Sequence, residues 1–159
     1  MTNDKDNNKK ASPKGSPRSA ARLAAVQAVY QLGMSDEPNT TLVIDEYRRH
    51  RLGHEVDGDL YNDADSILFA DVLEGSWNRR EELEALIVPA LNKDWSLDRL
   101  ERLIYAVLLS GCYELAARPD VPTPVIINEY IDVMHAFYER QEVAFVNGVL
   151  DKIAKAVRT

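Results

Sequence analysis

Cysteine is nearly missing from this 159-residue chain: Cys112 is the single one, set among apolar residues. One thiol supports neither a disulfide framework nor a cysteine metal cluster, and it fits a reducing compartment, the cytoplasm by default. Long apolar runs are missing too. None approaches the roughly 18 residues of a membrane span, and the polar N-terminus "MTNDKDNNKKASPKGSPRSAAR" lacks the apolar segment of a secretory signal. Glycine is sparse, with seven residues, none arranged as GxGxxG or GxxxxGK[ST], so nucleotide-dependent chemistry lacks its usual phosphate cradle. Runs that alternate polar and apolar with period two are few, which excludes a β-sheet protein.

Catalytic constellations are equally absent. Cys112 has no histidine near it in sequence and reads as a core thiol. His50 and His54 are spaced i, i+4 beside Glu55, but Gly53 is expected to end that helix, and a third firm metal ligand is lacking. His135 reads as a partly exposed helix residue, and the carboxylates of "NRREELEAL" mark a solvated face. The sequence predicts no enzyme, no metal and no cofactor.

What is present is charge asymmetry and helical periodicity. Residues 1–22 carry six Lys/Arg against two Asp, and the remainder thirteen against twenty-four, so an acidic body carries a basic arm. Such an arm suits a polyanion or an acidic surface; a solubilising disordered tail is the plainer alternative. Residues 1–15 are read as a disordered basic arm and 16–159 as one helical domain, since 45% hydrophobic content supplies one core at this length.

Order should begin at Ser16, an N-cap, with Pro17 in the first turn and Leu23, Val26 and Tyr30 on one face before Gly33. A second helix should start at Asn39 and stop at Gly53. A third should run from near Asp59 to Pro89, with Gly75-Ser76 able to divide it. Ser96 should cap a nearly all-apolar, central helix from Leu100 to Leu115. Thr123 should cap the next, which presents Ile127, Ile131, Met134 and Phe137. The last, "EVAFVNGVLDKIAKAVR" from Glu142 to Arg158, contains a turn dipeptide, Asn147-Gly148, within helical periodicity. Close packing at Gly148, with Asn147 satisfying a nearby backbone group, is the expected reason, and a real turn the alternative. All long segments have helical period, so the fold class is all-α, a helical bundle.

Arg18 and Arg22 are i, i+4 near the start of the first helix, continuous with the arm lysines. Cations there oppose the helix dipole, a cost of a few tenths of a kcal/mol that contact with phosphate would offset. Surface ion pairs are the alternative. Tyr30 is a core residue or a stacking platform for a base.

The motifs "RSAARLAAVQAVYQ", "W-x-L-D-R-L" at Trp95–Leu100, "YEL" at Tyr113–Leu115, "DVPTPVIINEYIDV" and "FVNGVLDKIA" occur in the order and spacing of the NusB family of transcription antitermination factors, which the chain resembles from Arg18 to Ala154. The resemblance implies two packed helical bundles in one domain and a non-enzymatic role. It implies pairing with NusE, also a small-subunit ribosomal protein, binding of the boxA element of nascent ribosomal RNA, and action within an RNA polymerase antitermination complex. Carried over, Lys14, Arg18, Arg22, Gln27, Tyr30 and Phe145 would contact RNA, and Tyr30 and Glu101 the protein partner. Monomer and homodimer both remain open.

The chain departs from the family pattern where cations are common: Ser19, Ala20 and Ala21 separate the two arginines, His135 follows the INE helix, and Glu142-Val143-Ala144 precedes FVNG. Fewer phosphate contacts should weaken RNA affinity and flatten its salt dependence. Either the arm compensates, or NusE supplies more of the binding, or boxA recognition is lost. A helical protein-interaction module without direct RNA binding is the competing reading.

Overall fold

The computed structural model describes residues 16–49 and 63–158. The arm with Lys14, the expected helix end at Gly53, the start near Asp59 and the His50/His54/Glu55 group lie outside the described residues.

The first helix, α1 (Pro17–Gly33), starts as its sequence requires: the Ser16 hydroxyl accepts the Ser19 N–H at 3.0 Å, and Pro17 needs no donor in the first turn. Its inner face is built from Ala21, Ala24, Ala25, Val26, Ala28, Val29 and Leu32. So many alanines let neighbouring helices approach its backbone. The second helix, α2 (Thr40–Tyr47), is capped by Asn39, whose side chain accepts the Leu42 N–H at 3.0 Å. Two further helices follow, α3 (Asp63–Asn78) and α4 (Arg80–Ile87), broken at Arg79 and not at Gly75-Ser76. Gly75 stays helical because its role is spacing: a Cβ there would lie 2.2 Å from the Tyr113 ring.

A short 3₁₀ turn at Leu97–Arg99 follows Ser96, which makes no side-chain capping bond. The central helix, α5 (Arg102–Ala117), therefore begins later than Leu100, with Glu101 in the cap position. It is buried without interruption from Ala106 to Leu115. Burying a leucine fully contributes about 1.5–3 kcal/mol, and this helix buries Leu108, Leu109 and Leu115 within its continuous buried stretch. The sixth, α6 (Thr123–His135), is preceded by Pro122, so Thr123 is its first residue and not its cap. Its core stripe is Ile126, Ile127, Tyr130, Val133 and Met134; Ile131 is half-buried and Phe137 exposed. The expected face was rotated, because it passed over Tyr130, whose hydroxyl is satisfied inside.

The last helix, α7 (Arg140–Val157), runs through Asn147-Gly148 without a break. Both residues are exposed, and a Cβ added to Gly148 meets nothing within 4 Å, so close packing at Gly148 is corrected. Among the described residues no contact explains this pair. Close approach belongs to Gly75 and to Gly111, where a Cβ would be 3.0 Å from Leu150 Cδ2. Arg158, just past α7, donates to the carbonyls of Leu115, Val121 and Arg118 at 2.9, 2.6 and 2.6 Å. That guanidinium closes the C-terminal end of α5, where unpaired carbonyls and the helix dipole both favour a cation.

The fold is all-α. One bundle gathers α1, α2 and α3, the other α4, α6 and α7, and α5 packs into both. Among the described residues no helix is long and apolar enough to cross a membrane.

Candidate functional site

Arg18 and Arg22, one turn apart, have opposite fates. Arg18 is exposed in the first turn of α1. Arg22 is 3% exposed: its Nε donates to Glu114 Oε2 at 2.7 Å and its Nη2 to Glu114 Oε1 at 3.0 Å. The Tyr130 hydroxyl donates to the same carboxylate at 2.5 Å, and Glu129 stands 3.6 Å from Arg22 Nη1 while accepting the Ser19 hydroxyl at 2.9 Å. Burial alone would lower the Arg22 pKa, but the Glu114 bonds, with the charges of Glu114, Tyr130 and Glu129, leave it raised and the guanidinium permanently charged. Burial, reinforced by Glu114, holds the Tyr130 phenol well above its ordinary value. Arg22 is thus a buried tie joining α1 to α5 and α6, which corrects its assignment to RNA. The signal was Glu114 of "YEL". A carboxylate on an otherwise apolar helix is almost never fully buried without a partner.

At the other end of α1, the predicted residues converge. Tyr30, 40% exposed, and half-buried Gln27 line a cavity of about 590 Å³ together with Glu101, Arg102, Phe137 and Tyr138. Glu101 and Tyr138 also line a neighbouring cavity of about 560 Å³ with Trp95, Arg99, Glu142 and Phe145, so the two form one groove. The Tyr138 hydroxyl donates to Glu101. Phe145 packs at 5.5 Å, tilted 46°, against Trp95, and the Arg99 guanidinium lies 5.4 Å from the Trp95 ring. Burial and the Glu101 carboxylate both raise the Tyr138 pKa.

Tyr30, Gln27, Glu101 and Phe145, drawn from two helices and the N-cap of a third, therefore meet in one groove. Arg18 does not join them: twelve residues of helix separate it from Tyr30, about 18 Å at 1.5 Å per residue. Sequence reasoning missed Trp95, Arg99, Phe137 and Tyr138. Periodicity assigns aromatics to the core, and nothing local reveals that these remain at the surface.

The remaining candidates are placed plainly. Cys112 is buried, and burial pushes its thiol up to about 12. His135 is exposed at the end of α6. Among the described residues no group of His, Cys, Asp and Glu is arranged to hold a metal ion.

A match to the NusB family spans residues 19–155. The transcription antitermination protein NusB of Novosphingobium aromaticivorans is 49% identical over 134 residues, which cover 84% of this chain and 90% of that protein. The protein of the same description from Allorhizobium ampelinum is 43% identical over 153 residues, 96% of this chain and 95% of its own length. Among solved structures, NusB of T. maritima superposes with a TM-score of 0.72 at 28% identity, covering 88% of this chain and 92% of that one. A complex described as antitermination factors NusB and NusE with dsRNA superposes at 0.70, with 23% identity and 88% and 97% coverage, and shares the fold. With the ordered motifs, the all-α bundles around α5 and this family match in agreement, the chain belongs to the NusB family of non-enzymatic transcription antitermination proteins.

Proposed function

We propose that this NusB-family protein binds the boxA element of ribosomal RNA leader transcripts and pairs with a NusE-type ribosomal protein, acting in the RNA polymerase antitermination complex of the cytoplasm. The observation that carries the reading is the different surroundings of the two ends of α1. Arg18 is exposed at the N-terminal end, where backbone amides favour phosphate and to which the basic segment with Lys14 is joined in sequence. At the C-terminal end, Gln27 and Tyr30 with Glu101 and Phe145 present aromatic and polar groups from several helices to one groove. Specific RNA recognition reads unpaired bases by stacking and edge hydrogen bonds, and phosphate contacts set register. The solved complex of NusB, NusE and dsRNA on the same fold supports the pairing of these two partners.

The burial of Arg22 removes one expected phosphate contact, and this favours a second reading, a protein-interaction module that leaves RNA binding to NusE. Fluorescence anisotropy of a labelled boxA RNA separates the two. The chain is titrated alone and with NusE, at two salt concentrations, against a scrambled RNA. The adaptor reading expects boxA-selective, salt-sensitive binding that NusE tightens. Absence of selectivity with NusE present, alongside intact NusE binding, establishes the interaction module instead.

A further inference from the structure

A second cleft, between α1 and α6, opens beside the start of α1. Half-buried Leu23, buried Val133 and exposed Ala136 form its apolar lining, Glu129 and Asp132 edge it, and its volume is about 350 Å³. Among the described residues, His135 is the one basic group that lines it. The two helices run the same way: Ser19 meets Glu129, and farther along both, Gln27 and Tyr30 share a cavity with Phe137 and Tyr138. The cleft therefore extends from the start of α1 towards its C-terminal end. Ser16 stands at its mouth: its hydroxyl lies 3.1 Å from that of Ser19, which donates to Glu129 at 2.9 Å. Asp132 follows one turn on, about 4.5 Å along the axis at 1.5 Å per residue. Glu129 is engaged, by Ser19 and by Arg22 at 3.6 Å, whereas Asp132 is exposed and pairs with no described side chain.

We propose that the basic arm, residues 1–15, turns back onto this cleft in the free protein, with Lys14 on Asp132 and Pro13 over the apolar lining, and that RNA must displace it. The arm thereby gains an internal site besides the phosphate contacts assigned to it above. Connectivity and charge choose this occupant. Residues 1–15 carry four lysines against two aspartates, and they join the described chain at Ser16, at the mouth of the cleft. Two residues of extended chain span up to about 7 Å, and lysine adds a flexible four-carbon stem, so Lys14 reaches Asp132. Gly15, between Lys14 and Ser16, tolerates the reversal that this approach demands. A phosphodiester would meet two carboxylates here, and a separate cationic partner would compete with a segment whose tether holds it at roughly millimolar local concentration. A single exposed ion pair is weak, so the docked arm exchanges readily, and an RNA strand with its row of phosphates draws it away. The cleft then acts as an internal competitor that lowers affinity for weakly bound polyanions.

The test begins with the full chain and no RNA. A carbodiimide joins a lysine directly to a carboxylate in contact with it, and mass spectrometry of the monomer fraction maps the links. The expected result is Lys14–Asp132 as the major link of Lys14, reduced at least fivefold by excess boxA RNA. Lys14 joined chiefly to another carboxylate, or to Asp132 only in a dimer fraction, overturns the internal contact; a link undiminished with RNA bound overturns the competition. The second measurement is the affinity for boxA RNA at low salt of Asp132→Asn, made in the parent and in a Lys14→Gln background. About a threefold gain is expected in the parent and less than 1.5-fold in Lys14→Gln, because the gain comes through that lysine. Equal gains in both backgrounds overturn the proposal in favour of direct repulsion between Asp132 and RNA, and no gain in either overturns it outright. If the parent chain binds no boxA RNA, the boxA reading falls, and the cross-link without RNA still decides the internal contact.

Discussion

Arg22 is the residue whose chemistry depends most on context. Its forked guanidinium meets both oxygens of Glu114, and the second layer of Tyr130, Glu129 and Ser19 satisfies what remains. Removing one member of such a pair leaves an uncompensated buried charge. Arg22→Ala should therefore destabilise the fold by about 3–5 kcal/mol in urea unfolding, and Arg22→Lys should recover only part, since an ammonium cannot make the bidentate pair. Arg18→Ala should leave the unfolding curve within about 0.5 kcal/mol of the parent, as surface substitutions do. On single-stranded boxA RNA, the loss of that one phosphate contact should reduce the slope of log K against log salt by about 0.7. An unchanged slope in Arg18→Ala would mean that this arginine makes no phosphate contact. Cys112 adds a chemical check: with its thiol pushed up to about 12 and buried, it should resist a thiol reagent at pH 8 until the protein is unfolded.

Between elements, glycines that look alike in sequence carry opposite consequences. Gly148 lies in mid-helix on the exposed side of α7, where an added methyl meets nothing. Gly148→Ala should raise stability by about 0.5–1 kcal/mol through helix propensity, read as a higher midpoint. Gly75→Ala should instead cost about 1–3 kcal/mol or more, because its methyl would lie 2.2 Å from the Tyr113 ring where α3 crosses α5. That ring cannot swing freely, as its hydroxyl donates to Asp71 at 2.6 Å. If the two substitutions have the same sign, the assigned crossing is wrong. Helix existence was readable from caps and periodicity: Ser16, Pro17 and Asn39 all act as expected. Helix starts after Ser96 and Thr123 were not. A 3₁₀ turn and Pro122 displaced them, and such choices depend on how the preceding loop packs.

For the whole molecule, charge is distributed so that the proposed RNA and protein contacts lie towards opposite ends of α1. With an acidic body, the basic end should steer the approach of RNA, so association should slow markedly as salt screens the arm, over a Debye length of about 10 Å at 0.1 M. Stopped-flow association with boxA RNA should show on-rates falling with salt, while NusE association, which is proposed to use the partly apolar groove, should vary less. Equal salt dependence for both partners would contradict the division. The fold class, the central apolar helix, the absence of catalytic motifs and the family were all legible in the linear chain, because periodicity, composition and motif order are local or additive properties. The buried fate of Arg22, the helical placement of Gly148 on an open face and the meeting of Tyr30, Glu101, Trp95 and Phe145 were decided only by packing. Each depends on which side of a helix faces a neighbour distant in sequence, and burial, not residue type, determines whether a charge is a ligand or a tie.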